Sequence, residues 1–142
     1  MEYPLKRIVL GLLAAFLTFA GLVAVAPQPA TASCPYTNCV TTQTTSSGVR
    51  SDRNTVVYNV TVRSAGNTSP KGTVKFVITK YGTSRVVKSQ TKTVTRLYSN
   101  SARATFSTGN LAKGKYTVRF TYNRAYGTVF KNSAQARSLV IK

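Results

Sequence analysis

The sequence predicts an all-β protein, an antiparallel β-sandwich of two sheets and about seven strands, over residues 40–142. Three observations predict it. Short β-branched and aromatic runs alternate apolar and polar residues with a period of two, and clusters of Gly, Asn, Ser and Pro break the chain about every ten residues. No stretch holds a helical period. A closed barrel is the second arrangement that this pattern allows.

Residues 40–45 form a Thr-rich first strand. In the next, Val56, Tyr58, Val60 and Val62 alternate with Val57, Asn59, Thr61 and Arg63, so the first set faces the core. After a break at 65–70, Val74, Phe76 and Ile78 alternate with Lys75, Val77 and Thr79, which turns Lys75 outward before Tyr81-Gly82 reverses the chain. Residues 85–94 read as one long polar strand with Lys88, Gln90 and Lys92 on one side. Lysines suit a weakly buried sheet edge, where they discourage pairing with other chains. Ala102, Ala104 and Phe106 mark a further strand, closed by Thr108-Gly109-Asn110. Tyr116, Val118, Phe120 and Tyr122 then give the cleanest alternation, with Lys115, Thr117, Arg119 and Thr121 outward. Residues 139–141 complete a last strand whose facing stays open, because Leu139, Val140 and Ile141 are all apolar.

Ahead of the strands, residues 1–32 read as an export signal. Lys6 and Arg7 precede an apolar run over 8–26, and Ala30-Thr31-Ala32 offers small residues for cleavage, so the mature chain begins at Ser33. An uncleaved membrane anchor is the alternative, since the run spans about 28 Å as a helix against a hydrocarbon core of roughly 30 Å. A lipidation signal ending at Cys34 fits poorly, because Thr31-Ala32-Ser33-Cys34 lacks an aliphatic residue three places before the cysteine. The expected location is therefore secreted, extracellular or held at the cell surface. Residues 33–39 form a terminal segment in which Cys34 and Cys39 enclose four residues. With no histidine in the chain, an exported pair at this spacing favours a local disulfide over a metal site.

Three stretches and one closing pair carry a family resemblance. They are Thr41-Thr42-Gln43-Thr44-Thr45-Ser46-Ser47, then Pro70-Lys71-Gly72-Thr73-Val74-Lys75-Phe76, then Leu111-Ala112-Lys113-Gly114-Lys115-Tyr116-Thr117-Val118, and Tyr122-Asn123 followed by Phe130. Over residues 40–141 the chain resembles the bacterial immunoglobulin-like repeat domains of secreted and surface proteins, of the actinobacterial type. The resemblance implies an immunoglobulin-like sandwich and a binding or adhesion role. It departs from the family at Asn123-Arg124-Ala125, where an acidic residue is usual. The Leu111, Gly114, Tyr116 spacing also reads on its own as a tyrosine corner, with the hydroxyl bonded back to upstream backbone.

Composition narrows the chemistry. The signal segment holds two of the twenty Lys and Arg and one of the two acids, leaving 18 cations against Asp52 alone, a charge of +17 on 110 residues. General acid–base catalysis wants groups that titrate near neutrality, and metal sites want carboxylates, imidazoles or thiolates. The mature chain is poor in all of them, so no enzyme, cofactor or small-molecule substrate is expected. A Ser–Lys dyad is compatible with the composition, but no motif marks one.

What remains is charge on a β scaffold. Lys75, Lys115 and Arg119 on outward faces, with Arg124 in the adjacent loop, form the candidate polyanion-binding surface. Envelope glycopolymer, acidic polysaccharide or extracellular DNA are the partners it would take. The plainer reading is a solvated face, although such faces normally mix both signs. A structural domain with a protein partner, or a secreted cationic effector or inhibitor, are the competing functions. The sequence yields one chemical test: peptide mapping of the exported protein should find Cys34 joined to Cys39 and an N-terminus at Ser33. Free thiols or an acyl group on Cys34 would contradict it.

Overall fold

The computed structural model describes residues 38–142; the expected signal segment and Cys34 lie outside the described residues. Among the described residues eight strands form two antiparallel sheets of four. The first has the order β1 (Thr42–Asp52), β2 (Thr55–Ser64), β6 (Ser101–Ser107), β5 (Thr95–Tyr98). The second has the order β4 (Val86–Thr93), β3 (Gly72–Lys80), β7 (Gly114–Arg124), β8 (Ser133–Ile141). Among the described residues no helix is long and apolar enough to cross a membrane.

The period-two alternation sets the core. Val56, Tyr58, Val60 and Val62 of β2 and Ala102, Ala104 and Phe106 of β6 are buried from one side. Val74, Phe76 and Ile78 of β3 and Val118, Phe120 and Tyr122 of β7 are buried from the other. Strand register then brings four rings to one level: Tyr58 lies opposite Phe106 in the first sheet, and Phe76 opposite Phe120 in the second. Across the sandwich, Phe76 stacks on Phe106 at 5.1 Å and Tyr58 meets Phe120 edge-on at 5.2 Å.

The sequence expectation needs three amendments. First, the polar run at 85–94 ends at Val94, whose side chain is buried and whose N–H donates to Gly72 O at 3.0 Å. There the chain leaves the second sheet and joins the first as β5, an eighth strand with no apolar alternation to betray it. Second, β1 runs to Asp52 although everything beyond Ser46 in it is exposed, because ladder pairing with β2 rather than burial holds its outer half. Third, β8 begins at Ser133; Leu139 and Ile141 face inward and Val140 outward.

Both sides of the sandwich close through polar chemistry. β1 lies beside β8, joined at the start by a parallel bridge between Val40 and Phe130. Beyond it, Thr42 Oγ1 donates to Lys131 O at 2.7 Å, Thr44 Oγ1 pairs with Ser133 Oγ at 2.7 Å, and Ser46 Oγ donates to Gln135 Oε1 at 2.8 Å. Arg50 Nη2 then reaches Val140 O at 3.0 Å. On the far side β5 covers only the start of β6, and β4 supplies lysines where a strand is missing. Lys92 Nζ donates to Thr105 O at 2.7 Å and sits 5.5 Å from the Phe106 ring centroid, while Lys88 Nζ donates to Thr108 O at 3.2 Å.

Two motif glycines have a geometric reason. Gly72 has φ of 151°, and a Cβ there would lie 2.2 Å from Asn123 O. Gly114 has φ of 153° at the start of β7, so both positions favour glycine. Beside Gly114, at the start of β7, the corner forms: Leu111 is buried, and Tyr116, also buried, donates its hydroxyl to Ala112 O at 2.8 Å. Urea denaturation should separate the two interactions. Phe76→Ala should lower the unfolding free energy by about 3–5 kcal/mol, and Tyr116→Phe, which keeps its ring, by about 1 kcal/mol. Equal losses would show that the ring cluster does not hold the sheets together.

Candidate polyanion-binding surface

The outer face of the second sheet presents side chains of alternating residues from four strands. Lys75 lies opposite Thr121 on one side and Thr91 on the other. In the next row Arg119 lies opposite Val77 and Ala136. Lys75 and Arg119 are thus diagonal neighbours, about 7–8 Å apart at their Cα atoms. Both are exposed, and neither row contains a carboxylate. Threonine, serine, alanine and valine fill the rest, so the two cations stand on a flat, short-chained surface.

Lys115 and Arg124 do not complete that cluster. Lys115 points to the same face but lies four residues from Arg119, about 13 Å along the strand, opposite Val140 and beside Tyr81, whose N–H donates to Lys115 O at 3.0 Å. Arg124 differs from expectation: it is the last residue of β7 rather than part of a loop, and it falls on the inward alternation. Its Nη1 donates to Thr128 O at 3.0 Å and its N–H to Asn132 Oδ1 at 2.9 Å, which ties it to the β7–β8 turn.

Arg124 also acts on the buried Tyr122. That phenol is pushed up to about 12 by burial, with a smaller opposing pull from the Arg124 charge, and it donates to Lys71 O at 2.7 Å. At the β1–β8 side, burial likewise raises Tyr58, opposed by Arg137 and Arg50.

Two depressions of about 480 and 400 Å³ lie at the end of the sandwich formed by the β2–β3 connection, Val94 and the close of β7, and they share Lys71 and Val94. Arg96 lines one and Arg124 the other. Sequence reasoning did not group these residues. Lys71 stands inside the Pro70-Lys71-Gly72 stretch, which reads as the entry to the third strand, and Arg96 belongs to the strand that had no pattern. Among the described residues no group of three His, Cys, Asp or Glu side chains could hold a metal. Comparison with known protein families, curated proteins and solved structures finds no significant match.

The Tyr122 shift has a pH consequence. Unfolding returns the phenol to its ordinary value of 10.0, so as pH rises the unfolded chain loses this proton first and gains stability relative to the fold. Tyr122's contribution is complete below about pH 10 and is lost as pH climbs through about 12. Urea midpoints across this range should fall less steeply in Tyr122→Phe than in the parent. Identical slopes would place the phenol's ionisation in the ordinary range.

Proposed function

We propose that the chain is an exported, non-catalytic β-sandwich of the immunoglobulin type that binds anionic envelope or extracellular polymers through its basic surface. Strand order supports the fold reading. Immunoglobulin constant-type domains pair strands A-B-E-D in one sheet and C-F-G in the other. Here β1-β2-β6-β5 corresponds to the first and β3-β7-β8 to the second, with β4 added beside β3. The bond from Tyr116 to Ala112 O falls at the connection between the fifth and sixth strands of that scheme, where a tyrosine corner belongs.

The charge imbalance carries the binding reading: 18 cations and one carboxylate follow residue 32. A fold needs far fewer to stay soluble, and an excess of one sign raises the local concentration of opposite charge and speeds association. Lys75 and Arg119 supply two unpaired cations on a flat face, accessible to a surface as broad as a nucleic-acid duplex. Polymer binding of this kind is electrostatic and indifferent to sequence.

Salt dependence tests it. If the protein neutralises roughly four to six phosphates of double-stranded DNA, log affinity against log salt should have a slope of about −4 to −5. Charge reversal at both Lys75 and Arg119 should make the slope shallower by about 2. Absence of binding to DNA, teichoic-type polymer and heparin-like chains at low salt would defeat the proposal and leave a protein partner as the leading function.

A further inference from the structure

The two depressions that meet at Lys71 and Val94 are a different kind of surface from the outer face. They are concave, and cations from separate elements stand around them: Lys71 before β3, Arg96 in β5 and Arg124 at the end of β7. These residues are distant in sequence. The strand switch at Val94 brings them together, since its N–H to Gly72 O bond docks the β4–β5 passage against the start of β3.

The frame is also stiff. Lys71 O accepts from Tyr122 Oη at 2.7 Å and from Ala125 N at 2.9 Å, which fixes the main chain under the lysine. The Arg124 guanidinium is held by Thr128 O. A ligand therefore meets cations whose supports are already ordered, which lowers the entropic cost of association.

Between the cations the lining mixes apolar surface from Pro70, Val94 and Ala125 with groups that both donate and accept hydrogen bonds, Asn67, Ser99 and Asn123, while Ser69 Oγ already donates to Ser101 O at 2.9 Å. Two exposed tyrosines are chain neighbours of lining residues without lining the depressions themselves: Tyr98 precedes Ser99, and Tyr126 follows Ala125. Cations match an anion on the chain, short amides and hydroxyls match sugar hydroxyls, and an exposed ring offers a flat face to a sugar ring. A duplex is too wide to enter. Single-stranded DNA would use the same cations and rings, with its hydrogen-bond donors confined to the bases, whereas every unit of a polysaccharide carries hydroxyls that both donate and accept.

We infer that this trough is a binding site for a flexible acidic polysaccharide, a linear chain carrying carboxylate or sulfate on its sugar units. The inference rests on the polyanion-binding reading and names its ligand class and place. Arg124 is a positioning residue at the rim; Lys71 and Arg96 meet the anions, and Tyr126 covers a sugar face.

The test compares two pairs of substitutions that remove the same charge from the whole chain: Lys71→Gln with Arg96→Gln in the trough, and Lys75→Gln with Arg119→Gln on the outer face. Polygalacturonate is the probe, with oligothymidylate and double-stranded DNA as comparators at one salt concentration. The trough pair should weaken polygalacturonate binding about tenfold, and the outer-face pair about threefold at most. Tyr126→Ala, remote from the core, should weaken it about fivefold, as loss of one stacking ring does. Equal losses from the two pairs would overturn the site, and tighter binding of oligothymidylate than of polygalacturonate would overturn the ligand class. Binding to duplex DNA without binding to polygalacturonate defeats this inference alone; binding to none of the three, nor to teichoic-type or heparin-like chains, defeats the polyanion reading beneath it.

Discussion

The four rings of Tyr58, Phe76, Phe106 and Phe120 are the contact on which the rest of the structure depends. Each sheet contributes one cross-strand pair, and the pairs meet face to face and edge to face at 5.1 and 5.2 Å. Because strand alternation has a period of two, a ring fixed inward fixes its neighbours outward. Phe76 inward therefore places Lys75 and Val77 on the surface, and Phe120 inward does the same for Arg119 and Thr121. A slip of one residue would bury the cations and expose the rings. Packing in the centre thus dictates which charges the protein presents, and register carries the dictation from core to face.

The edges of the sandwich solve a different problem. A strand without a neighbour leaves backbone groups unpaired, and an unpaired carbonyl near the core costs free energy unless something bonds it. β5 is too short to cover all of β6. Lys88 and Lys92 from the facing sheet fill the gap, each placing an ammonium on a β6-side carbonyl. Serine, threonine and glutamine do the corresponding work between β1 and β8. Some of the basic composition is therefore structural, and charge count alone overstates what is available to a ligand. Arg50 and Arg124, also bonded to backbone carbonyls, belong with the two lysines in that account.

Legibility in the sequence followed the same division. Strands buried on one face, β2, β3, β6 and β7, stand out because Val56 to Val62 or Tyr116 to Tyr122 alternate without interruption. So does the outward placement of Lys75, Lys115 and Arg119. The outer half of β1, the first half of β8 and all of β5 did not stand out, since they bury little and are held by ladders and side-chain bonds that leave no apolar rhythm. The site divided likewise. Lys75 and Arg119 could be paired from alternation and neighbouring strands, whereas Lys71 and Arg96 come together only through the passage at Val94, a tertiary event with one buried valine as its trace. Arg124 was misplaced because Asn123-Arg124-Ala125 looks like a turn while pairing with Gly72 keeps the strand going.

A domain of this size carrying +17 works against its own repulsion. At physiological ionic strength charges are screened over about 8 Å, roughly the separation of diagonal neighbours such as Lys75 and Arg119, so neighbouring cations still feel one another while the two ends of the sandwich scarcely do. Repulsion is then local, concentrated wherever cations gather without acids, as Lys71 and Arg96 do around one depression. A polyanion laid on such a place removes that repulsion as it forms its own contacts, and unfolding would forfeit both. On the proposed function, ligand and fold are therefore linked in one direction: binding to the native state alone stabilises it by mass action. The same unpaired charges that weaken the free domain are the source of its attraction for an acidic chain.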